Sequence, residues 1–496
     1  MPNAVVHSMA EYLPFREMAI LSQVNRHNAA SLRTFPVREL QIPARLFQDL
    51  FSQIHKFPKL ESVGADFEMR ILPDGRVILP TMKALIETPN TSPSIRTVKI
   101  ASSRIGAPIP FLNSLVERTP QIKEFQFTNN SFFNYSNFPT QVQVGRIISE
   151  PAKANLSHLE ALTVSGSNVH PAGLLELLQS SSNYVSLNLC GQCLHNGHLR
   201  EIVRSQSLTH LNLQSIKKAD DEELNFQILS ELRNLTHLVV TSEMTEDELI
   251  AIIEANPNLK ELDISGGHLQ TRRVLFKIAD KAPLLRSLKF SNASKITKLA
   301  LNALIVGCPA LRELVIPGIS VKRQADLSPE DIAADKMTKE ALIQALNTLK
   351  DRGLLEILNF QDVNLTEDML SIIISIPTLT SLSIRNYASS QLTEACLLQL
   401  QRLTNLEELN LDGLSSLTEA VLVGVVNHCP KLRNLHMNRS SLRGMANEER
   451  PTLQPIQTAL QEGRLPNLKM VYCQNSGINQ DAIDAFRDAF PKLKIR

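Results

Sequence analysis

The chain has 496 residues and a net charge of +1; it is 43% apolar, 20% charged and has no tryptophan. That near-neutral balance offers no global field for nucleic acid or a membrane surface. No apolar run approaches the roughly eighteen residues that span a bilayer, no secretory leader pattern opens the chain, and six scattered cysteines read as free thiols of a reducing, cytoplasmic or nuclear, compartment.

In chain order, residues 1–34 come first and differ from the rest. Met1-Pro2 leads a helical pattern with Val5, Val6, Met9 and Leu13 on one side; Pro14 opens a second with Met18, Leu21 and Val24; a third runs from Asn25 to Arg33. Segments below about 40 residues rarely fold alone, so this module needs a partner or the first repeat. From residue 35 onward one pattern recurs, L-x-x-L-x-L followed by a helix. Its strands start at Val37, Leu60, Ile95, Ile122, Leu159, Tyr184, Leu208, Leu235, Leu259, Leu285, Leu311, Leu355, Leu379, Leu406, Leu432, Leu468 and Leu493. Helix starts recur as well, at Thr245, Thr297, Thr338, Thr366, Thr393 and Thr418, each after an apolar residue. One strand and one helix every 20 to 29 residues or so is a leucine-rich repeat. The pattern predicts an α/β solenoid over 35–496, a horseshoe with parallel strands on the concave face and helices on the convex face.

Four spacings are too long: Leu60 to Ile95, Ile122 to Leu159, Leu311 to Leu355 and Leu432 to Leu468. They predict insertions near 66–80, 128–145, 317–335 and 438–455. Asp74-Gly75, between Met69–Ile71 and Val77–Leu79, is a hairpin signal. The second insertion carries Phe132, Phe133, Tyr135 and Phe138 among polar residues. These rings are either a binding surface or a cover folded over the repeat core. Lys322 and Arg323 lie in the third insertion, Arg439 and Arg443 in the fourth. All four insertions follow a strand, which predicts one shared rim.

The N-terminal stretch resembles an F-box. The residues that carry the likeness are Met1-Pro2, Val5-Val6-His7, Tyr12-Leu13-Pro14-Phe15-Arg16-Glu17-Met18 and Leu21-Ser22-Gln23-Val24-Asn25-Arg26. Glu17 stands where Asp is usual. With the Cys308-Pro309 and Cys429-Pro430 repeats behind it, the chain resembles the F-box/leucine-rich-repeat proteins over most of its length. The resemblance implies docking of a cullin–RING ubiquitin-ligase adaptor, and the cullin with it, through Pro2, Val5, Met9, Leu13, Pro14, Met18, Leu21 and Val24. The other reading of these helices is an amphipathic cap on the first repeat.

Two further clusters are candidates. Cys190, Cys193, His195 and His198 hold zinc-ligand residue types, but all four fall in one strand-to-helix turn, and small buried cysteines are common there. No metal and no cofactor are therefore expected. On the concave face, Lys260, Arg286 and Arg312 occupy the second repeat position in three consecutive repeats, beside Glu261 and Glu313. The fifth positions include Asn188, Asn212, Val239, Asp263, Lys289, Val315, Asn359, Ser383, Asn410 and His436. Target contacts are expected at Phe132, Phe133, Tyr135, Phe138, Lys260, Arg286, Arg312, Lys322, Arg323, Arg439 and Arg443. No nucleophile–base–orienter set stands out. The expectation is a non-catalytic substrate receptor of a ubiquitin ligase, with no nucleic acid or membrane partner. The alternative is a repeat scaffold with no ubiquitin link, including a host-mimicking effector delivered by an intracellular microbe.

Overall fold

The computed structural model describes residues 39–43, 62–67, 70–71, 77–78, 96–102, 117, 120–129, 150–165, 171–219, 223–265, 271–291, 293–319, 321, 335–386, 392–440, 453–491 and 493–496. The F-box-like residues and most of the insertions lie outside them. The chain divides into two units, Met1–Leu235 and Thr236–Arg496.

In the first unit the strands are β1 (Glu39–Pro43), β2 (Ser62–Phe67), β5 (Thr97–Ser102), β6 (Glu124–Asn129), β7 (Ala161–Ser165), β8 (Ser186–Asn188) and β10 (His210–Asn212). Each pairs in parallel with the next in that order. Helices α1 (Glu150–Leu156), α2 (Pro171–Gln179) and α3 (Asn196–Val203) alternate with the later strands. The expected hairpin is present: β3 (Arg70–Ile71) pairs antiparallel with β4 (Val77–Ile78). Two details depart from the sequence reading. Cys193–Leu194 is a short strand, β9, paired in parallel with β11 (Lys217–Lys218), so the Cys/His segment is not merely a turn. The repeat after β10 has a 3₁₀ helix, Phe226–Glu231, in the helix position.

The second unit alternates strands and helices throughout. Its strands are β12 (His237–Val239), β13 (Glu261–Asp263), β14 (Ser287–Lys289), β15 (Glu313–Val315), β16 (Ile357–Asn359), β17 (Ser381–Ser383), β18 (Glu408–Asn410), β19 (Asn434–His436), β20 (Met470–Tyr472) and β21 (Lys494–Ile495). Every neighbouring pair is parallel. The helices are α4 (Glu246–Ala255), α5 (Arg272–Lys281), α6 (Lys298–Gly307), α7 (Lys339–Arg352), α8 (Glu367–Ile374), α9 (Glu394–Leu397), α10 (Glu419–His428), α11 (Gln454–Gln461) and α12 (Gln480–Ala489).

The period-two pattern explains the packing. The fourth-position residues Leu238, Leu262, Leu288, Leu314, Leu358, Leu382, Leu409, Leu435 and Val471 stack in register and are buried. Each strand's alternate residues point the other way, to the strand face. A parallel strand needs a crossover to return, and here a capped helix supplies it. Thr245, Thr271, Thr297, Thr338, Thr393 and Thr418 each accept a backbone N–H at the start of their helix. These features define an α/β leucine-rich-repeat fold.

All six cysteines are free thiols. Cys308 and Cys429 end their helices, and each donates its thiol to a carbonyl of the preceding repeat, Ala282 O at 3.6 Å and Leu403 O at 3.4 Å. Burial pushes both thiols up to about 12. They are fillers that bridge repeats, not nucleophiles.

Candidate protein-binding face

The strand face of the second unit is built from the second, third, fifth and seventh repeat positions. Six of the fifth positions are of two kinds, and Val239, Val315 and Ser383 belong to neither. Asp263, Asn359 and Asn410 each accept the backbone N–H two residues on, at 2.8, 2.9 and 3.0 Å; Asn188 and Asn212 do the same in the first unit. These side chains close the turn that leaves the strand, a backbone task. Lys289, His436 and Tyr472 hold the same position with long or planar side chains, and these present chemistry outward.

Most charges on the face are spent on neighbouring repeats. Lys289 Nζ lies 3.0 Å from Glu313, which also accepts the Ser287 hydroxyl. Arg312 pairs with Glu356, and Arg433 with Glu407 at 3.3 Å. The expected row of Lys260, Arg286 and Arg312 is therefore on the face, but only Lys260 and Arg286 stand without a carboxylate among the described residues. Arg439, next to β19, is exposed and has φ of 53°, with its N–H on Gln474 O at 2.8 Å. Phe132, Phe133, Tyr135, Phe138, Lys322, Arg323 and Arg443 lie outside the described residues, as do Pro2, Val5, Met9, Leu13, Pro14, Met18, Leu21 and Val24.

The strongest constellation was missed by pattern reading. His436 on β19 stacks on Tyr472 on β20, ring centres 4.0 Å apart and planes 16° from parallel. Glu408 on β18 comes to 3.7 Å from His436 Nε2. Burial lowers the His436 pKa, against the opposing pull of Asp412 and Glu408, so the ring is neutral at pH 7. Asp412 is committed to Asn438, accepting its backbone N–H at 2.6 Å and its amide at 3.3 Å. On the other side, register sets Lys494 opposite Met470, with Lys469 one residue before. A half-exposed planar pair thus lies between an acidic strand and a basic one. Such a platform stacks a ring, a guanidinium or a peptide plane, with charges to orient it. The available signal was the fifth position of β20: Tyr472, one of five tyrosines in the chain, replaces the Asn or Asp that closes the turn.

The Cys/His cluster has other work. His195 Nδ1 accepts the Gly197 N–H at 3.0 Å, and His198 Nδ1 accepts the His195 N–H at 3.0 Å, a capping box made of two histidines. His198 Nε2 meets Pro171 O at 2.8 Å, so both of its nitrogens are engaged. Among the described residues no group of three or more His, Cys, Asp or Glu is placed to hold a metal ion. No described helix is long and apolar enough to cross a membrane.

No family model matches the chain, and no curated protein does. Among solved structures, a leucine-rich-repeat protein of Leptospira interrogans is similar at 15% identity and a TM-score of 0.37, over 95% of this chain and 98% of that one. An internalin of Listeria monocytogenes is similar at 13% identity and a TM-score of 0.35, over 85% of this chain and 89% of that one. The repeat fold stands on the chain's own evidence: its strand–helix period, its parallel register and the buried leucine ladder.

Proposed function

We propose that the chain is a non-catalytic protein-recognition subunit whose strand face captures a target protein. The observation that supports this is the His436–Tyr472 stack, half-exposed at the fifth position and flanked by Glu408. Binding energy concentrates on such anchored aromatic groups. The finer reading adds residues 1–34 as an F-box that docks a cullin–RING ligase adaptor, so that a target lysine is held near a partner's active site. The contribution to chemistry is then proximity. That part is supported by the sequence resemblance of Pro2 to Arg26, and it assigns the chain to the cytoplasm or nucleus.

The test is co-purification from a eukaryotic lysate, read for adaptor and cullin. Wild type is expected to bring both down. Leu13→Asp with Met18→Asp is expected to lose both with the repeats still folded, because burying an unpaired carboxylate in an apolar interface costs more than the several kcal/mol of an unpaired neutral polar group. If the wild type brings down neither adaptor nor cullin under gentle conditions, the ubiquitin link fails and the binding scaffold remains, host-mimicking effector included.

A further inference from the structure

A second surface lies on the helix side. Among the described residues five large apolar side chains are exposed, and four belong to two adjacent repeats: Phe276 (37%), Leu284 (46%), Leu299 (47%) and Val306 (61%). Leu299 and Val306 lie seven apart on α6, with Asn302 and Ala303 between them on the outward side. On α5, Arg273 and Lys277 turn toward α4, pairing with Asp247 and Glu254. Ala279, on the opposite flank, meets α6 at Gly307, where an added Cβ would run into the Ala279 carbonyl. Phe276 is one turn before Ala279, on that same flank. Counted from the N-caps Thr271 and Thr297, Leu299, Phe276 and Val306 stand two, five and nine residues along their helices, which spreads them over about 10 Å of helix length. The close contact at Gly307 keeps the two helices together under this row.

The rim is basic. Over α5, α6 and the turn before α6 the cations are Arg272, Arg273, Lys277, Lys281, Lys295 and Lys298, against one acid, Asp280. Arg273, Lys277, Lys281 and Lys298 have carboxylate partners. Arg272, 5.3 Å over the Phe276 ring, and Lys295, exposed in the turn, have none among the described residues. Other helices of this unit turn polar groups outward: Glu246, Asp247 and Glu254 on α4, Glu340 and Gln344 on α7.

We propose that the outer face of α5 and α6 docks an amphipathic helix of acidic character from a partner protein. Its apolar stripe lies on Phe276, Leu299 and Val306, and its carboxylates meet Arg272 and Lys295. A helix offers apolar anchors at three-, four- and seven-residue spacing, which suits a row of this length. A second copy of this chain would set the same basic rim against itself. A membrane is the poorer fit, because Phe276, at 37%, and Leu299, at 47%, keep more than half of their surface covered and are not raised as wedges. The site is separate from the strand face and stands whether or not that face captures a target.

The experiment uses the full chain, immobilised, against a displayed library of helix-forming peptides, with counter-selection on the Leu299→Ser, Val306→Ser variant. Both positions are exposed, and urea unfolding verifies that the variant stays folded. Enrichment of peptides with an apolar stripe flanked by Asp and Glu is expected. A synthesised winner should bind at least about tenfold more weakly to the double variant, more weakly to Arg272→Glu, and equally to Tyr472→Ala on the strand face. No enrichment, enrichment of lysine-flanked helices, or affinity unchanged in the double variant would overturn the proposal. So would two further results: sedimentation with phosphatidylserine vesicles that depends on Leu299 and Val306 without peptide binding, or self-association lost in the double variant.

Discussion

At the residue scale, the fifth repeat position shows how one slot serves two ends. Where the turn after the strand needs an acceptor, Asn359 and Asn410 fill it and are unavailable for binding. Where it does not, His436 and Tyr472 enter. The histidine gives a pH signature. Its folded pKa lies below the ordinary 6.5, because burial outweighs Asp412 and Glu408. Between the folded value and 6.5 the unfolded chain therefore binds more protons than the folded one, and stability rises with pH there. His436 contributes stability that is present above 6.5 and lost as pH falls through its folded value. His436→Phe keeps a ring on Tyr472 and removes the titration. In urea unfolding, the difference between wild type and this variant should move in favour of wild type from pH 5 to pH 7.5. A difference that stays flat across that range would mean that the ring titrates alike in both states.

At the element scale, the helix caps separate position from interaction. Thr297 and Thr366 occupy the same slot. Thr297 Oγ1 accepts the Ala300 N–H at 3.3 Å; Thr366 makes no cap bond, and its buried hydroxyl has no hydrogen-bond partner among the described residues. Thr→Val keeps the shape and removes the hydroxyl. At Thr297 it should cost about 1 kcal/mol. At Thr366 it should be neutral or slightly stabilising, since burying an unpaired hydroxyl is itself a cost. Equal losses in thermal or urea unfolding would contradict this account. The caps also show how far the sequence could be read. Thr338 and Thr418 announce their helices because an N-cap needs a local side-chain oxygen and the chain itself supplies it. The His195–His198 box was not legible, because histidine is a rare cap and the same residues match a metal pattern. The Arg312–Glu356 pair was hidden for another reason. Its partners are 44 residues apart and meet only once the strands stack.

At the scale of the whole molecule, the period made the fold legible, because each repeat buries its leucines on the next one and the pattern must recur for the stack to exist. The site was less legible, because what a face presents depends on which neighbours neutralise each other across repeats. The insertion before α7 joins these two levels. Its last residue, Asp335, is 6% exposed and has φ of 52°. It belongs by sequence to α7 but serves α6: its carboxylate accepts the Leu299 N–H at 3.0 Å and lies 3.5 Å from Lys298 Nζ, and its carbonyl accepts the Lys298 N–H at 3.2 Å. With Thr297 on Ala300, the first three N–H groups of α6 are all satisfied. The length of chain between two fixed points enters stability only logarithmically, so deleting residues 322–333 while keeping Asp335 should change unfolding free energy by less than about 1 kcal/mol. Extending the deletion through Asp335 should cost about 1–3 kcal/mol by leaving the Lys298 and Leu299 N–H groups unmet, and Asp335→Ala alone, which keeps the carbonyl on Lys298 and frees only the Leu299 N–H, should cost toward the lower end of that range. The shorter deletion then becomes the clean probe of Lys322 and Arg323. If target capture falls in it while the unfolding curve holds, those cations contact the target. If the short and long deletions destabilise the protein equally, Asp335 is not the anchor and the insertion itself contributes to the stack.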